Sequence, residues 1–377
     1  MKQKPLNLLI DCSFINRRLS CISSHYIYTG SLIKGFQEYS PFHIVALVAE
    51  GYEDYIDTLA DGRHIEKIVI STNAKVLSYK IDRLLGIIPF KKDLERYHID
   101  AVITPYTTPY IYIYPKKFHQ FSIIHDLIAY QQSFFRLSSL MMKSAVKRIP
   151  HFITISEYTR NEVKKAFGKD STVIYNCIPI KPDSREELIA DIVGKKYILD
   201  VNRFERYKNA ETLIRALHLI RKKLPHIIYL KGYNSVSSDI CYLQRVISSL
   251  NMESRVIIDS NHRNEAEMRY LYTHADLFVT PSLEEGFGYT PIEAAVLKTP
   301  VLVSDIPVLK EVTQGKIESF NPHLPEELAE KMCRIISNPP SDEERTALSD
   351  FYLKEYSLEK QIERFTEVIM NNVKQKL

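Results

Sequence analysis

The sequence predicts an α/β protein of two Rossmann-like halves, each a parallel sheet with helices on both faces. Three observations carry this. Short apolar runs alternate with longer amphipathic stretches, the pattern of strands joined by helical crossovers. The alternation breaks once, between Asn176 and Lys195, where Pro179, Pro182, a charged stretch and Gly194 read as a linker, and then it starts again. Finally, 377 residues are long for one domain and comfortable for two. The expected organisation is a first domain over 1–176, a linker over 177–195, a second domain over 196–340 and C-terminal helices over 341–377.

Taken in order, Leu6 to Ile10 is apolar enough for a strand buried on both faces. A loop through Ser20 to Tyr28 and a helix from Ser31 to Tyr39 follow. Strands are expected at His43 to Ala49 and Ile65 to Ile70. A long helical stretch runs from Lys75 to Tyr97 with a break at Pro89. Further strands fall at Asp100 to Thr104, Gln120 to Ile124 and His151 to Ile155. Helices are expected at Phe135 to Arg148 and, capped by Ser156, at Glu157 to Phe167. Val173 to Tyr175 closes the first half. The second half repeats the alternation from Tyr197 to Val201 through Leu277 to Thr280 and Val301 to Val303, and it ends in helices.

Composition narrows the function. Hydrophobic residues make up 45% and charged residues 25%, as in an ordinary globular protein. The net charge of +4 is too small to indicate a nucleic-acid binder. Five cysteines are scattered without a C-x-x-C pair, which points to a reducing compartment and to neither a disulfide framework nor a zinc site. The start, MKQKPLNLLIDCSF, has its apolar run interrupted by Asp11 and reads as a first strand, not a signal peptide. No apolar stretch approaches the ~18–20 residues of a membrane span. A cytoplasmic protein is expected. Residues 134–148 mix apolar side chains with four cations. They read as a sheet-covering helix with a basic outer face, or as a surface that touches anionic lipid at the inner membrane face.

The chemistry concentrates at Glu285 to Asp305. A strand stops at a Thr-Pro-Ser turn, then come Glu285, a loop with Gly286, Phe287 and Gly288, and a helix opening at Thr290-Pro291, with Thr290 the expected N-cap and Pro291 the first helical position. Backbone N–H groups at such a loop and helix start favour an anion such as phosphate. Glu293 has two readings, a capping box with Thr290 or a ligand contact. Glu285 likewise is either a solvated loop carboxylate or a ligand contact. A second constellation follows the first strand of the second half, where Arg203 and Lys208 flank a strand-to-helix turn. A cation at a helix N-terminus is disfavoured unless an anion lies beside it, and a diphosphate would be such an anion. No Asp-x-Asp occurs for a metal–diphosphate complex, and no Ser-His-Asp or Cys-His pattern with a nucleophile elbow is evident.

These stretches resemble retaining GT-B glycosyltransferases of family 4. Glu285, seven residues and Glu293, set in PS-x-x-EGFG-x-x-P-x-EAA, look like that family's E-x7-E motif. Arg203 and Lys208 match its G-R-x4-K-N segment, with Asn202 in place of the Gly. His125-Asp126-Leu127 is similar to its first-domain loop. The resemblance implies two Rossmann-like domains facing each other across a cleft, the nucleotide-sugar donor in the second and the acceptor largely in the first, with the last helix returning to the first. It implies that Arg203 and Lys208 neutralise the departing diphosphate and that Gly286, Phe287, Gly288, Tyr289 and Thr290 bind the donor through their backbone. Glu293 would hold the ribose, Glu285 the donor sugar, and His125 would contact that sugar. Ser156 to Thr159 and Tyr175 to Pro179 match structural segments of the family. The glycines that relatives carry after the first strand are missing, and Ser23 and Ser24 stand there on the acceptor side. The activity implied is transfer of a hexosyl unit, with GDP-mannose the first donor expected and UDP-glucose the second, to a glycan or lipid-linked acceptor of surface polysaccharide, without cofactor or metal. An epimerase-type GT-B enzyme and a non-catalytic glycan-binding scaffold are the alternatives.

Overall fold

The structure is a computed structural model that describes residues 5–15, 24–71, 88–108, 111–131, 136–180, 182, 184–232 and 237–374. Residues Met1–Cys177 with Tyr356–Leu377 form one compact unit, and Ile178–Glu355 form another.

Among the described residues the first unit holds seven strands: β1 (Asn7–Asp11), β2 (His43–Ala49), β3 (Glu66–Ile70), β4 (Ala101–Thr104), β5 (Gln120–Ile124), β6 (His151–Thr154) and β7 (Thr172–Val173). They lie in the order β3-β2-β1-β4-β5-β6-β7, and every pairing is parallel. The order reverses between β1 and β4, which makes the carboxyl ends of these two strands the switch point of the sheet. Alternate residues feed opposite faces. Leu9, Val45, Leu47, Ile68 and Val102 pack on Phe90, Leu94 and Phe118. Ile124 and Phe152 pack with Met142, Val146 and Val163 of the helices Arg136–Arg148 and Glu157–Phe167.

The second unit holds β8 (Tyr197–Val201), β9 (Ile227–Lys231), β10 (Val256–Asp259), β11 (Leu277–Thr280), β12 (Val301–Ser304) and β13 (Glu318–Phe320), in the order β10-β9-β8-β11-β12-β13, again all parallel. The period of two along a strand is explicit here. Leu277 and Val279 enter the core with the helices Ala210–Ile220 and Pro325–Ser337, while Phe278 between them enters the opposite core with Leu271, Tyr272 and Ala294. A sheet buried on both faces is thus covered by two helical layers, and its switch point lies between β8 and β11.

Several boundaries differ from the sequence expectation. The first helix spans Ser24–Tyr39, so Ser24 opens it and is not in a loop. Its early residues are aromatic, β-branched or Gly30, weak helix formers that tertiary packing overrides. Helix Glu53–Leu59 and strand β13 were not expected, because only Ile56, Leu59 and Phe320 supply a buried apolar signal. Of the long helix expected from Lys75, residues 72–87 lie outside the described residues, and a short helix Lys91–Arg96 follows. The stretch expected as a linker packs on the second unit: Ile189 and Ile192 are in its core and Glu187 N–H donates to Ala266 O at 3.1 Å. Helix Asp342–Glu355 also belongs there, since Ser349 Oγ donates to Val296 O and Tyr352 Oη to Thr313 O, both at 2.7 Å. Helix Leu358–Lys374 packs instead on Ser24–Tyr39 in the first unit, with Phe36 and Phe365 rings 5.7 Å apart. That close crossing needs Gly35, because a Cβ there would stand 2.5 Å from Ile362.

Candidate active site

The switch point of the second unit gathers the charged residues that are far apart in the sequence. After β8 the chain passes Arg203 and a 3-10 turn, Arg206–Lys208, to Asn209. Asn209 sits in the left-handed region at φ 58°, a conformation Asn tolerates better than most side chains. Its Nδ2 donates to Pro281 O at 3.0 Å and Pro322 O at 2.9 Å, which ties this turn to the segments after β11 and β13. Lys208 is thereby held beside the loop after β11. Its Nζ stands 2.6 Å from Glu285 Oε1, which also accepts from Ser282 Oγ at 2.8 Å. Both side chains of this pair are about nine-tenths buried, at 11% and 10% exposure.

Two sequence expectations change here. Glu285 is a nearly buried, paired carboxylate and not a solvated one. The anion that relieves Lys208 at the helix start is Glu285, 77 residues away, so a ligand diphosphate is not needed for that purpose. An ammonium carries three donors, so Lys208 can keep Glu285 and still offer a proton to a phosphate oxygen. Arg203 is about half exposed, with Nη1 at 3.1 Å from Glu205 and Nη2 donating to Tyr207 Oη at 2.9 Å.

The helix after the loop begins two residues earlier than expected. It spans Tyr289–Val296, with Gly288 as N-cap at φ 84°, and no side chain caps it. The capping box between Thr290 and Glu293 is therefore absent. Glu293 Oε2 instead accepts from Tyr272 Oη at 2.8 Å. Desolvation raises the Glu293 carboxyl above its ordinary pKa, and the Tyr272 hydrogen bond offsets this in part. Gly286, Tyr289 and Thr290 are partly exposed, whereas Phe287 is buried, its ring 5.1 Å from Tyr289, so it offers a ligand only its backbone.

Beneath the pair lies Asp200, at the end of β8 and 3% exposed. Asn202 Nδ2 donates to it at 2.6 Å. Burial pushes its carboxyl up to about 7, against the opposing pull of Asn202 and Lys208. Between the ordinary value of 3.8 and this one, the folded chain holds a proton that the unfolded chain has lost. Stability from this group is therefore full below about pH 4, falls as pH rises to about 7 and is flat above. At about 1.4 kcal/mol per unit the fall is on the order of 4 kcal/mol. Asp200→Asn should remove it, so that the variant gains on the wild type by this amount between pH 4 and 7 in urea unfolding. An unchanged difference across that range would refute the assignment.

In the first unit, His125 follows β5 directly. Its Nε2 lies 3.0 Å from Pro105 O, and its ring stacks on Tyr106 at 4.2 Å and meets Tyr28 edge-on at 4.6 Å. Asp126 is exposed and accepts from Ile128 N–H at 3.0 Å, a turn-forming role. Ser156 caps the helix Glu157–Phe167 through Thr159 N–H. Ser23 lies outside the described residues. Asn209, Ser282, Tyr272 and Asp200 were missed in the sequence; Asn209 carried a signal, as it directly follows Lys208 in the G-R-x4-K-N resemblance. Among the described residues no group of three His, Cys, Asp or Glu side chains could hold a metal ion.

The two parallel-sheet units, each with its own switch point, have the GT-B fold. Residues 184–350, nearly all of the second unit, match the family described as glycosyl transferases group 1. The chain is 30% identical over 200 residues to the O-antigen chain mannosyltransferase RfbU of Salmonella typhimurium, covering 51% of this chain and 52% of that protein. It is 25% identical over 201 residues to the serotype-specific mannosyltransferase WbdA of Escherichia coli, covering 52% of this chain and 24% of that one. The match thus spans about half the length of RfbU and about a quarter of WbdA. Among solved structures, sucrose-phosphate synthase from Thermosynechococcus elongatus superposes with a TM-score of 0.71 at 18% identity, over 97% of this chain and 100% of that one. Anabaena HepE in complex with UDP and glucose superposes with a TM-score of 0.69 at 15% identity, over the same shares of 97% and 100%. These likenesses establish the fold.

Proposed function

We propose that the protein is a retaining hexosyltransferase that moves a sugar from a nucleotide-sugar, GDP-mannose first, to a glycan or lipid-linked glycan acceptor in surface polysaccharide synthesis. The observation that carries the reading is the buried Lys208–Glu285 pair placed at the switch point, beside a loop and helix opening whose first turn has no side-chain cap. Lys208, Arg203 and the amides of Gly286 to Thr290 meet the diphosphate and stabilise its charge as it leaves. Glu293, held by Tyr272, accepts the ribose hydroxyls. Glu285 holds donor-sugar hydroxyls, and His125 contacts the sugar. The acceptor attacks from the side the leaving group vacates and gives its proton to a donor phosphate oxygen, so no side chain acts as nucleophile. The names of the RfbU and WbdA relatives favour mannose as the sugar. The reaction is assigned no metal, since Lys208, Arg203 and helix-end amides supply the countercharge. No helix among the described residues is long and apolar enough to cross a membrane. The helix Arg136–Arg148, with Leu140, Lys143, Lys147 and Arg148 exposed, is the surface that would meet an anionic membrane from the cytoplasmic side.

The test is a thermal-shift panel of GDP-, UDP-, dTDP- and ADP-sugars in EDTA, on wild type and Glu293→Ala. One nucleotide class should raise the melting temperature, by an amount equivalent to about 2.7 kcal/mol at a hundred times its dissociation constant. Glu293→Ala should weaken that response and leave any response to inorganic diphosphate intact. No response to any nucleotide, with EDTA or with Mg²⁺, would overturn the reading.

A further inference from the structure

The second switch point holds one acid that its cations do not pair. Lys208 Nζ is 2.6 Å from Glu285 Oε1, and Arg203 Nη1 is 3.1 Å from Glu205 Oε1. Each cation thus has a carboxylate of its own. Asp200, near the end of β8, is the acid left over, and it is buried. Among the described residues its carboxylate accepts one side-chain hydrogen bond, from the neutral Asn202 Nδ2 at 2.6 Å. With Asp200 ionised this cluster of the second unit carries one excess negative charge; with Asp200 protonated it is balanced.

The elements packed around Asp200 do not change that count. Strand β11 is uncharged through Leu277–Thr280. On β9, Lys231 spends its ammonium on Gly232 O at 2.9 Å and Asn261 O at 2.7 Å. Arg206, on the same turn as Lys208, lies over the Tyr242 ring, and Tyr207 Oη accepts from Arg203. On the helix Ala210–Ile220, Glu211 is paired with Arg215 and accepts from Tyr242 Oη. Glu284 and His323, on the loops after β11 and β13, are exposed. Residues 233–236, outside the described ones, read Tyr-Asn-Ser-Val and contain no cation or acid. Lys208 and Glu285 are therefore the charges that act on Asp200.

A diphosphate brings further negative charge into this space, and a like charge within reach favours the neutral form of a carboxyl. Asp200 is the member poised to yield. Burial pushes its carboxyl up to about 7, with Asn202 and Lys208 opposing and Glu285 adding.

We propose that Asp200 is a positioning residue of the donor site, which takes up one proton from solvent when the nucleotide diphosphate binds. Neutral, it no longer competes with the phosphate for the Lys208 ammonium, whose donors beyond Glu285 then meet phosphate oxygens. Ionised, it sets an unpaired negative charge against the ligand. A group whose proton is held more tightly in the complex gives full affinity below its free pKa and loses it as pH rises. Binding is thus tight below about pH 7 and weakens above. The inference rests on the transferase reading for the presence of a diphosphate, and on the charge count for where the proton goes.

The test is calorimetric titration of the full chain with GDP, UDP, dTDP and ADP at about pH 8 in EDTA. Each titration is run in HEPES and in Tris, whose heats of ionisation differ, so that the difference in heat counts protons. The nucleotide that binds should bring uptake approaching one proton in the wild type and about none in Asp200→Asn, whose amide oxygen still accepts from Asn202. From about pH 7 to about pH 8.5 the wild type should lose about tenfold in affinity relative to that variant. Asn202→Ala removes the hydrogen bond that favours the ionised form, so its affinity should begin to fall at a higher pH than the wild type's. This variant decides the matter if Asp200→Asn does not fold. The proposal is overturned if the nucleotide binds without proton uptake, if uptake is the same in Asp200→Asn, or if Asn202→Ala and wild type lose affinity at the same pH. Binding of no nucleotide at any pH removes the transferase reading and the proton step with it.

Discussion

Lys208→Ala is expected to lose on the order of 3–5 kcal/mol of stability, because it leaves the Glu285 carboxylate nearly buried without its cation. Ser282 Oγ still donates to Glu285, but one neutral hydrogen bond does not replace an ammonium. On the proposed function, transferase turnover is expected to fall by about a hundred- to a thousandfold, the usual consequence of removing one charge-stabilising donor. The double variant Lys208→Met with Glu285→Leu separates the two effects. Removing both charges of a buried pair and filling the space with apolar groups is often neutral or better for folding. The double variant should therefore recover most of the stability in urea unfolding while nucleotide-induced shifts remain absent. If nucleotide response returned together with stability, the pair would be structural and the diphosphate role of Lys208 would fall.

Gly288→Ala is the second large effect. Gly288 caps the helix Tyr289–Val296 at φ 84°, where an L side chain is strained, and a Cβ would stand 2.5 Å from Leu309 Cδ2. Leu309 is wholly buried and cannot swing away freely. The backbone strain costs about 1–2 kcal/mol and the crowding about 1–3 kcal/mol. A loss of about 2–5 kcal/mol is expected by denaturant unfolding, with weaker nucleotide response because the amides of the loop are displaced. Adding Leu309→Ala should relieve the crowding but not the strain, so that recovery is partial. A single variant as stable as the wild type would show that this cap tolerates a side chain and that the loop geometry is not set by glycine.

How much of this was legible in the chain depends on the range of the interaction. The strands at Leu277–Thr280 and Val301–Ser304 were readable because a strand buried on both faces is an unbroken apolar run. Strand β13 was not, since only Phe320 of its three residues is buried. The start of the helix at Tyr289 was misplaced by its own best local signal: Thr290-Pro291 is a good cap and first position, but Gly288 can take the left-handed cap conformation that a side chain resists. The apparent linker and the helix Asp342–Glu355 read as separate pieces because the bonds that place them, such as Tyr352 to Thr313, are long in sequence.

By itself, the sequence determined the α/β alternation, the break between halves and the residue types at Arg203, Lys208, Glu285 and Glu293, because periodicity and short motifs are local properties of a chain. Only the tertiary structure decided what those residues touch. Lys208 meets Glu285 across 77 positions because β8 and β11 are neighbours at a switch point. Glu293 is held by Tyr272 instead of capping its own helix, and Asp200 is pushed up to about 7 by burial that no spacing announces. The aromatic cluster of Phe14, Tyr28, Tyr106 and His125 has the same origin: four rings scattered over more than a hundred positions are brought together by the order of three strands and one helix.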